Sequence, residues 1–397
     1  MSQSTHPLIS ILVPVYNDED SIAETLESCL NQTFRDFEIV IVNDASTDDT
    51  LGVINKYAKL DSRIKVFSNK ENLKTYHTIE VALMNAVGEY TMIISGDDTY
   101  DLHALETISN VIKDNNGVDI IQFRRRHINS DGKVTNVTGP ADVHLQGDEI
   151  LKYMFNRTRG SRVNHKVIRR VWEKEVRGQI KIDKKLVLGE DQVLAFILCL
   201  KAKTYVGISD ALYNYNYGAG SDGKKDIDLD YFVDYRMNII DSMDELGRLL
   251  QKMNVEPWVW DYYDASRREH YAWSVSVTDK MTSKERNEAL SIWTDRVGIL
   301  DTLVGVNLFT PSFTERYLNF LSQYSSESIN TKFLSEYSRL INDEYRLRIA
   351  ENANTVDNLR KENNKLKHEL RSHMSVGRSA KLMAGNIKRR ISHGKKK

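Results

Sequence analysis

The chain has 397 residues, 41% of them hydrophobic and 28% charged, with a formal net charge of −1; this balance excludes a disordered chain, and the length suggests two or three domains. Its cysteines, Cys29 and Cys199, stand far apart with no His or Cys at metal-ligand spacing, which excludes a zinc centre and points to a reducing compartment. No apolar run reaches the roughly 20 residues that span a bilayer, and the N-terminus lacks the basic-then-apolar layout of a secretion signal, so the expected location is the cytosol.

Ile9, Ile11, Leu12, Val13 and Val15 form a nearly continuous apolar run, as a strand buried on both faces requires. Pro14 is expected to end it, since proline cannot donate to a ladder, leaving Tyr16 and Asn17 in the following turn. Ligands of open α/β sheets bind outside the carboxyl ends of the strands, where a ring and an amide can grip a flat base. Equally, Asn17 can cap the turn beside a core Tyr16. A helix follows over 21–29, with Ser21 and Glu24 in capping-box form. The second buried strand, 37–42, runs into Asn43-Asp44-Ala45-Ser46-Thr47-Asp48-Asp49-Thr50, which caps the helix at 51–60 and can present Asp44 to a ligand. A strand at 63–67 and a helix at 78–87, stopped by Gly88, come next.

The strand at 90–94 leads into Ser95-Gly96-Asp97-Asp98. Adjacent carboxylates repel each other unless a cation sits between them and a ligand. Oxygen-only ligation suits Mg2+ or Mn2+, completed by diphosphate and water; the other reading is an acidic loop capping the helix at 102–112. A strand at 118–123 precedes Arg124, Arg125 and Arg126, which can hold a diphosphate or an anionic acceptor or form a solvated basic turn, and Asn129-Ser130-Asp131-Gly132-Lys133 has hairpin chemistry. In Gly189-Glu190-Asp191-Gln192, two acids open an apolar helix where its dipole favours anions, and a cap accounts for one acid more easily than for two. Residues 205–208 read as an edge strand, and 213–221, rich in tyrosine and glycine, as a lid or a half-buried strand.

From Asp228 the pattern is helical, with Trp258, Trp260, Tyr262, Tyr263, Tyr271 and Trp273 mostly destined for the core, while some can line an acceptor groove and nothing in the sequence separates the two. Ile349, Val356, Asn363 and Leu370 alternate with Asn352, Leu359, Leu366 and His373 at heptad spacing, predicting a short coiled coil in which Asn363 sets the register of a homodimer. After Met374 there are eight basic and no acidic residues, opposite an apolar stripe of Ala380, Met383, Ile387 and Ile391. That is the layout of an interfacial helix on an anionic membrane surface, preferred here over nucleic acid as a partner. The expected domains are 1–225, 226–342 (helical), 343–373 (coiled coil) and 374–397 (basic tail).

Val13-Pro14-Val15-Tyr16-Asn17, the 43–50 loop and Gly88-Glu89-Tyr90 leading into Asp97-Asp98 together resemble the family 2 glycosyltransferases of GT-A fold, of the bacterial surface-polysaccharide type, over about the first 220 residues. The resemblance implies an α/β nucleotide-sugar-binding domain with a mostly parallel sheet. It also implies a nucleotide-diphospho-sugar donor, usually UDP-linked, bound by Pro14, Tyr16, Asn17, Asp44 and Asp97, with Mn2+ or Mg2+ on Asp98. Asn164-His165-Lys166 resembles the segment ahead of the base motif; by the same match Asp191 is the general base, supported by Glu190, and the acceptor is a glycan or lipid-linked hydroxyl. Two departures stand out: Ser95 replaces the first acid of Asp-x-Asp-Asp, and Thr78-Ile79-Glu80 replaces Ala-Arg-Asn. The expected protein is an inverting, metal-dependent transferase at the inner face of the cell membrane. A nucleotide-sugar-binding scaffold and a nucleotidyltransferase are the alternative readings.

Overall fold

The computed structural model describes residues 6–155, 167–170, 182, 185–216 and 227–310, together with 313, 317, 320, 321, 336, 337, 339, 340 and 343. The chain begins with alternating strands and helices: β1 (Ile9–Val15), α1 (Ile22–Leu30), β2 (Phe37–Asn43), α2 (Thr50–Ala58), β3 (Ile64–Ser68), α3 (Lys74–Asn85) and β4 (Tyr90–Ile93). There follow β5 (Thr99–Tyr100), α4 (Ala104–Asp114), β6 (Ile120–Ile128), β7 (Val134–Thr138), β8 (Val143–Gln146), α5 (Asp148–Met154), β9 (Val167–Arg170), α6 (Glu190–Lys201) and β10 (Thr204–Asn216). The last four are helices: α7 (Asn238–Met253), α8 (Pro257–Ser276), α9 (Ser283–Val297) and α10 (Ile299–Phe309).

Among the described residues ten strands form one sheet in the order β3-β2-β1-β4-β9-β6-β10-β5, with β7 added to β6 and β8 to β10. The first four in that order are parallel, as are β6 and β10, while β9 runs antiparallel to both β4 and β6. β1 is apolar throughout because both its faces are covered. Ile9, Ile11, Val13 and Val15 pack with Ile22, Leu26 and Cys29 of α1 and with Leu105 and Ile108 of α4. Leu12 points the other way, onto Ile79 and Leu83 of α3. Each such side chain contributes about 1.5–3 kcal/mol of burial.

Pro14 does not end β1, which stays in register with β2 through Val15 and Asn43. It lies instead just beyond the last pairing with β4, Leu12 with Ile93, on the side where no carbonyl asks for its missing N–H. Gly88 is fixed by close approach: a Cβ there would come within 2.6 Å of Ser10 Oγ. The buried Glu38 carboxylate accepts from Ser10 Oγ at 2.6 Å and from the Val87 amide at 2.7 Å, and Gly88 N–H donates to the same hydroxyl, so this corner sets the start of β4.

Three further expectations are revised. Ser21 makes no capping hydrogen bond; its hydroxyl donates to the Gly96 carbonyl at 2.9 Å and ties α1 to the acidic loop. The strand at 205–208 is the start of a long interior strand, β10, that also takes in Tyr213, Asn214, Tyr215 and Asn216, and resolves those tyrosines as strand rather than lid. The boundary expected at 225/226 falls inside a compact unit spanning residues 1–330. The reason is a shared core, in which Phe196, Ile197 and Tyr205 pack in one cluster with Leu246, Leu249 and Val259. Asn164-His165-Lys166, residues 217–221, and the coiled coil and basic tail beyond 343 lie outside the described residues. No helix among the described residues is long and apolar enough to cross a membrane.

Candidate active site

The turn after β1 is built by Asn17, whose backbone is left-handed (φ 56°), a conformation asparagine tolerates better than most residues. Its side-chain oxygen accepts from the Thr47 amide at 2.8 Å and its own amide donates to Ser46 Oγ, so Asn17 laces the first turn to the 43–50 loop. Asp44 is 3% exposed. Its carboxylate accepts from Asn69 Nδ2 at 2.7 Å and from the amides of Leu73 at 2.8 Å and Lys74 at 3.0 Å, holding the loop that starts α3. Both residues, expected to touch the nucleotide, brace the loops at the carboxyl ends of β1 and β2. Tyr16, 45% exposed, is the ring this turn offers to a ligand.

The two carboxylates of the acidic loop part company. Asp98 is 1% exposed and accepts from Tyr213 Oη and from the Asn216 amide, so it joins the loop to β10 and has no open surface for an ion. Burial pushes the Tyr213 phenol well above its ordinary range, which keeps its proton in place for Asp98. Asp97 is half-buried and close to Asp18. Burial pushes the Asp18 carboxyl up to about 6; a hydrogen bond from the Tyr16 amide opposes this, and repulsion from Asp97 and Asp48 adds to it. The carboxylate expected to hold the metal, Asp98, is thus engaged by Tyr213 and Asn216, and Asp97 beside it is the half-buried one of the pair. Converging carboxylates, of which Asp18 resists ionisation, are of the oxygen-donor type that fits a hard divalent cation. The described residues contain no cluster of three or more His, Cys, Asp or Glu side chains able to hold a metal. Oxygen donors of this kind suit Mg2+ or Mn2+ where diphosphate and water complete the shell.

Glu190 and Asp191 open α6 directly after Gly189, which has φ 84°. A Cβ on Gly189 would come within 2.5 Å of Ile239 Cδ1, and Ser242 Oγ donates to the Leu188 carbonyl at 2.7 Å, so this loop is seated on α7. Asp191 Oδ1 accepts from the Gln192 amide at 2.9 Å. Both acids line a cavity of about 800 Å3 shared with Pro14 at the end of β1, Ile93 and Ser95 at the end of β4, and Ile79 of α3. The paired acids of the 190s and the carboxyl ends of the central strands, some 90 residues or more apart in sequence, therefore meet in one cleft.

Sequence reasoning gave the three arginines one shared set of roles. On β6 they alternate: Arg124 donates to the Pro140 carbonyl, Arg126 to Asp101 and Asn214, and Arg125 alone lines the cavity, its guanidinium 5.2 Å from the Tyr215 ring centroid. Extending the predicted strand past 123 would have exposed this alternation. Where the family pattern has Ala-Arg-Asn, Ile79 gives the cleft an apolar wall and Glu80 pairs with His77 at 2.8 Å. Glu269, His270 and Trp273 of α8, which no local motif marks, complete the far wall.

Residues 10–176 match the family model described as glycosyl transferase family 2. They form a glycosyltransferase family 2 domain. The chain is 33% identical over 222 residues to the poly(ribitol-phosphate) beta-glucosyltransferase of Bacillus spizizenii, covering 54% of this chain and 33% of that one. It is 24% identical over 311 residues to the cholesterol galactosyltransferase of Borreliella burgdorferi, covering 76% and 84%. The chain spans about a third of the length of several other curated relatives that it matches. Among solved structures it resembles S. aureus TarS 1–349 in complex with UDP-GlcNAc, with a TM-score of 0.57 and 20% identity over 85% of this chain and 91% of that one. That likeness places the chain in the same fold, with a mostly parallel central sheet.

Proposed function

We propose that this glycosyltransferase moves a sugar, with inversion, from a UDP-sugar to a hydroxyl of a glycan or lipid-linked acceptor in surface-polysaccharide synthesis, and that it depends on Mn2+ or Mg2+. The observation that carries the reading is the single cleft in which Asp191 and Glu190 face the carboxyl ends of β1 and β4. Relatives named for glucosyl and galactosyl transfer support it.

The uridine stacks on exposed Tyr16, within the frame that Asn17 and Asp44 make rigid. Asp97 would hold the cation, which when bound would offset the charge of the departing diphosphate. Asp191, with Glu190 beside it, takes the proton of the attacking acceptor hydroxyl as the new bond forms to the anomeric carbon. On the opposite face, the bond from that carbon to the diphosphate oxygen breaks, and the diphosphate leaves with the electron pair. One base and no protein nucleophile give a single displacement and an inverted anomeric centre. Arg125 supplies the cleft with a fixed cation beside Tyr215. We further propose that the basic tail holds the enzyme at the inner face of the cell membrane, on the strength of its eight uncompensated cations and apolar stripe.

The test is release of nucleoside diphosphate from a panel of nucleotide sugars, with and without Mn2+. The reading expects one UDP-sugar to turn over only with metal, with a loss of at least about 100-fold in Asp191→Asn as befits a general base. Metal-independent release, or full activity of Asp191→Asn, would overturn it.

A further inference from the structure

The far wall of the cleft has features that donor binding leaves unused. Trp273 lines the cavity yet is 51% exposed, one of the few large apolar side chains so open. One of its faces is covered: the Arg236 guanidinium carbon lies 3.7 Å from the ring centroid, and Arg236 Nη2 donates to the Trp273 carbonyl at 3.2 Å. Arg236 itself is 4% exposed and ends a π-helical turn, Phe232–Arg236, inserted ahead of α7. Such widened turns concentrate at functional sites, and here one puts a cation beneath the indole. The result is a ring held flat and presented to the cleft rather than a ring spent on packing.

Its neighbours define the ligand. His270 Nδ1 is hydrogen-bonded to the Ser266 carbonyl at 2.7 Å, which in the neutral ring leaves Nε2 an acceptor. Among the described residues that line the cavity, Glu269 lies on the same wall and Glu190 and Asp191 on the adjoining one, against the guanidinium of Arg125, with Arg236 beneath the indole. An apolar platform surrounded by acceptors and net negative charge suits a neutral molecule with many hydroxyls and one apolar face, and repels a phosphate.

We propose that the α8 wall is the acceptor subsite, where a neutral pyranose ring stacks on Trp273 with its hydroxyls on Glu269 and His270, and that the acceptor unit is therefore a sugar and not a polyol phosphate. The proposal rests on the transferase reading above and specifies its acceptor. The base loop, seated on α7 through Ser242 and Ile239, borders this wall, so a hydroxyl of the stacked ring lies on the Asp191 side of the cleft.

The test uses the full-length protein and measures UDP release from its UDP-sugar donor, alone and with methyl glucopyranosides, galactopyranosides or N-acetylglucosaminides, or with ribitol 5-phosphate. At least one glycoside should accelerate release beyond the rate in water, and ribitol 5-phosphate should not. In Trp273→Ala the half-saturating glycoside concentration should rise about tenfold, as expected for loss of one aromatic stack, while Trp273→Tyr recovers most of it. The change should fall on the saccharide's half-saturating concentration and not on the donor's. Donor hydrolysis with no acceleration by any glycoside, acceleration by ribitol 5-phosphate, or an unchanged Trp273→Ala would overturn the acceptor assignment alone. Hydrolysis of no donor at all would overturn the transferase reading and this inference with it.

Discussion

Asp97 and Asp98 are neighbours with opposite fates, and the difference can be measured. Tyr213→Phe strips a hydrogen bond from the buried Asp98 carboxylate and should cost about 1–3 kcal/mol, seen as a lower urea midpoint at unchanged slope. Asp97→Asn, at a half-buried position, should leave that midpoint within about 0.5 kcal/mol yet abolish metal-dependent UDP release. Asp18 adds a pH signature. Its carboxyl is held at about 6 against an ordinary value of 3.8, so in the metal-free protein the folded state binds the proton more tightly than the unfolded chain does. The stabilisation is complete below about pH 4 and is lost as the pH climbs to about 6. Asp18→Asn keeps an oxygen for the Tyr16 amide and removes the charge. Its Tm should match wild type at pH 4 and exceed it at pH 7, by an amount on the order of 1–2 kcal/mol in stability. A constant gap across that range would contradict the assignment.

At the scale of elements, the junction of α6 with α7 decides where the base sits. Gly189 needs its left-handed backbone and has no room for a Cβ beside Ile239. Gly189→Ala should cost roughly 1–3 kcal/mol and lower kcat, because the strain falls on the residue next to Glu190. Ser242→Ala removes the hydrogen bond to Leu188, for about 1 kcal/mol, and should lower kcat without raising the donor KM. Comparing the variants by calorimetry and steady-state UDP release separates the loop's stability from its placement. Strand periodicity works similarly in β6: Arg125 faces the cleft because Arg124 and Arg126 must face away from it. Arg125→Ala should raise the donor KM, while Arg126→Ala should mainly lower Tm through its lost partners Asp101 and Asn214.

At the scale of the molecule, the helices after residue 226 belong to the same core as α6 and β10, and they supply a wall of the cleft. A chain ending at 330 should melt cooperatively and hydrolyse donor, whereas one ending at 225 should do neither. The proposed membrane contact is separable: full-length protein should sediment with vesicles containing anionic lipid, less so as salt rises, and a chain ending at 373 should not. The alternating strands and helices of the first hundred residues, the acidic loop and the Glu-Asp pair were legible in sequence because each rests on local periodicity or on adjacent residues. So was the family. The sequence by itself thus determined an α/β fold with a mostly parallel sheet and a short set of candidate acids. It did not sort ligand-facing acids from buried ones, since Asp98 is claimed by Tyr213 and Asp44 by Asn69, Leu73 and Lys74, partners 25 to 115 residues away. Nor did it single out Arg125 or Trp273. Only the tertiary structure decided those, because whether a charge or a ring meets solvent depends on which distant backbone packs against it.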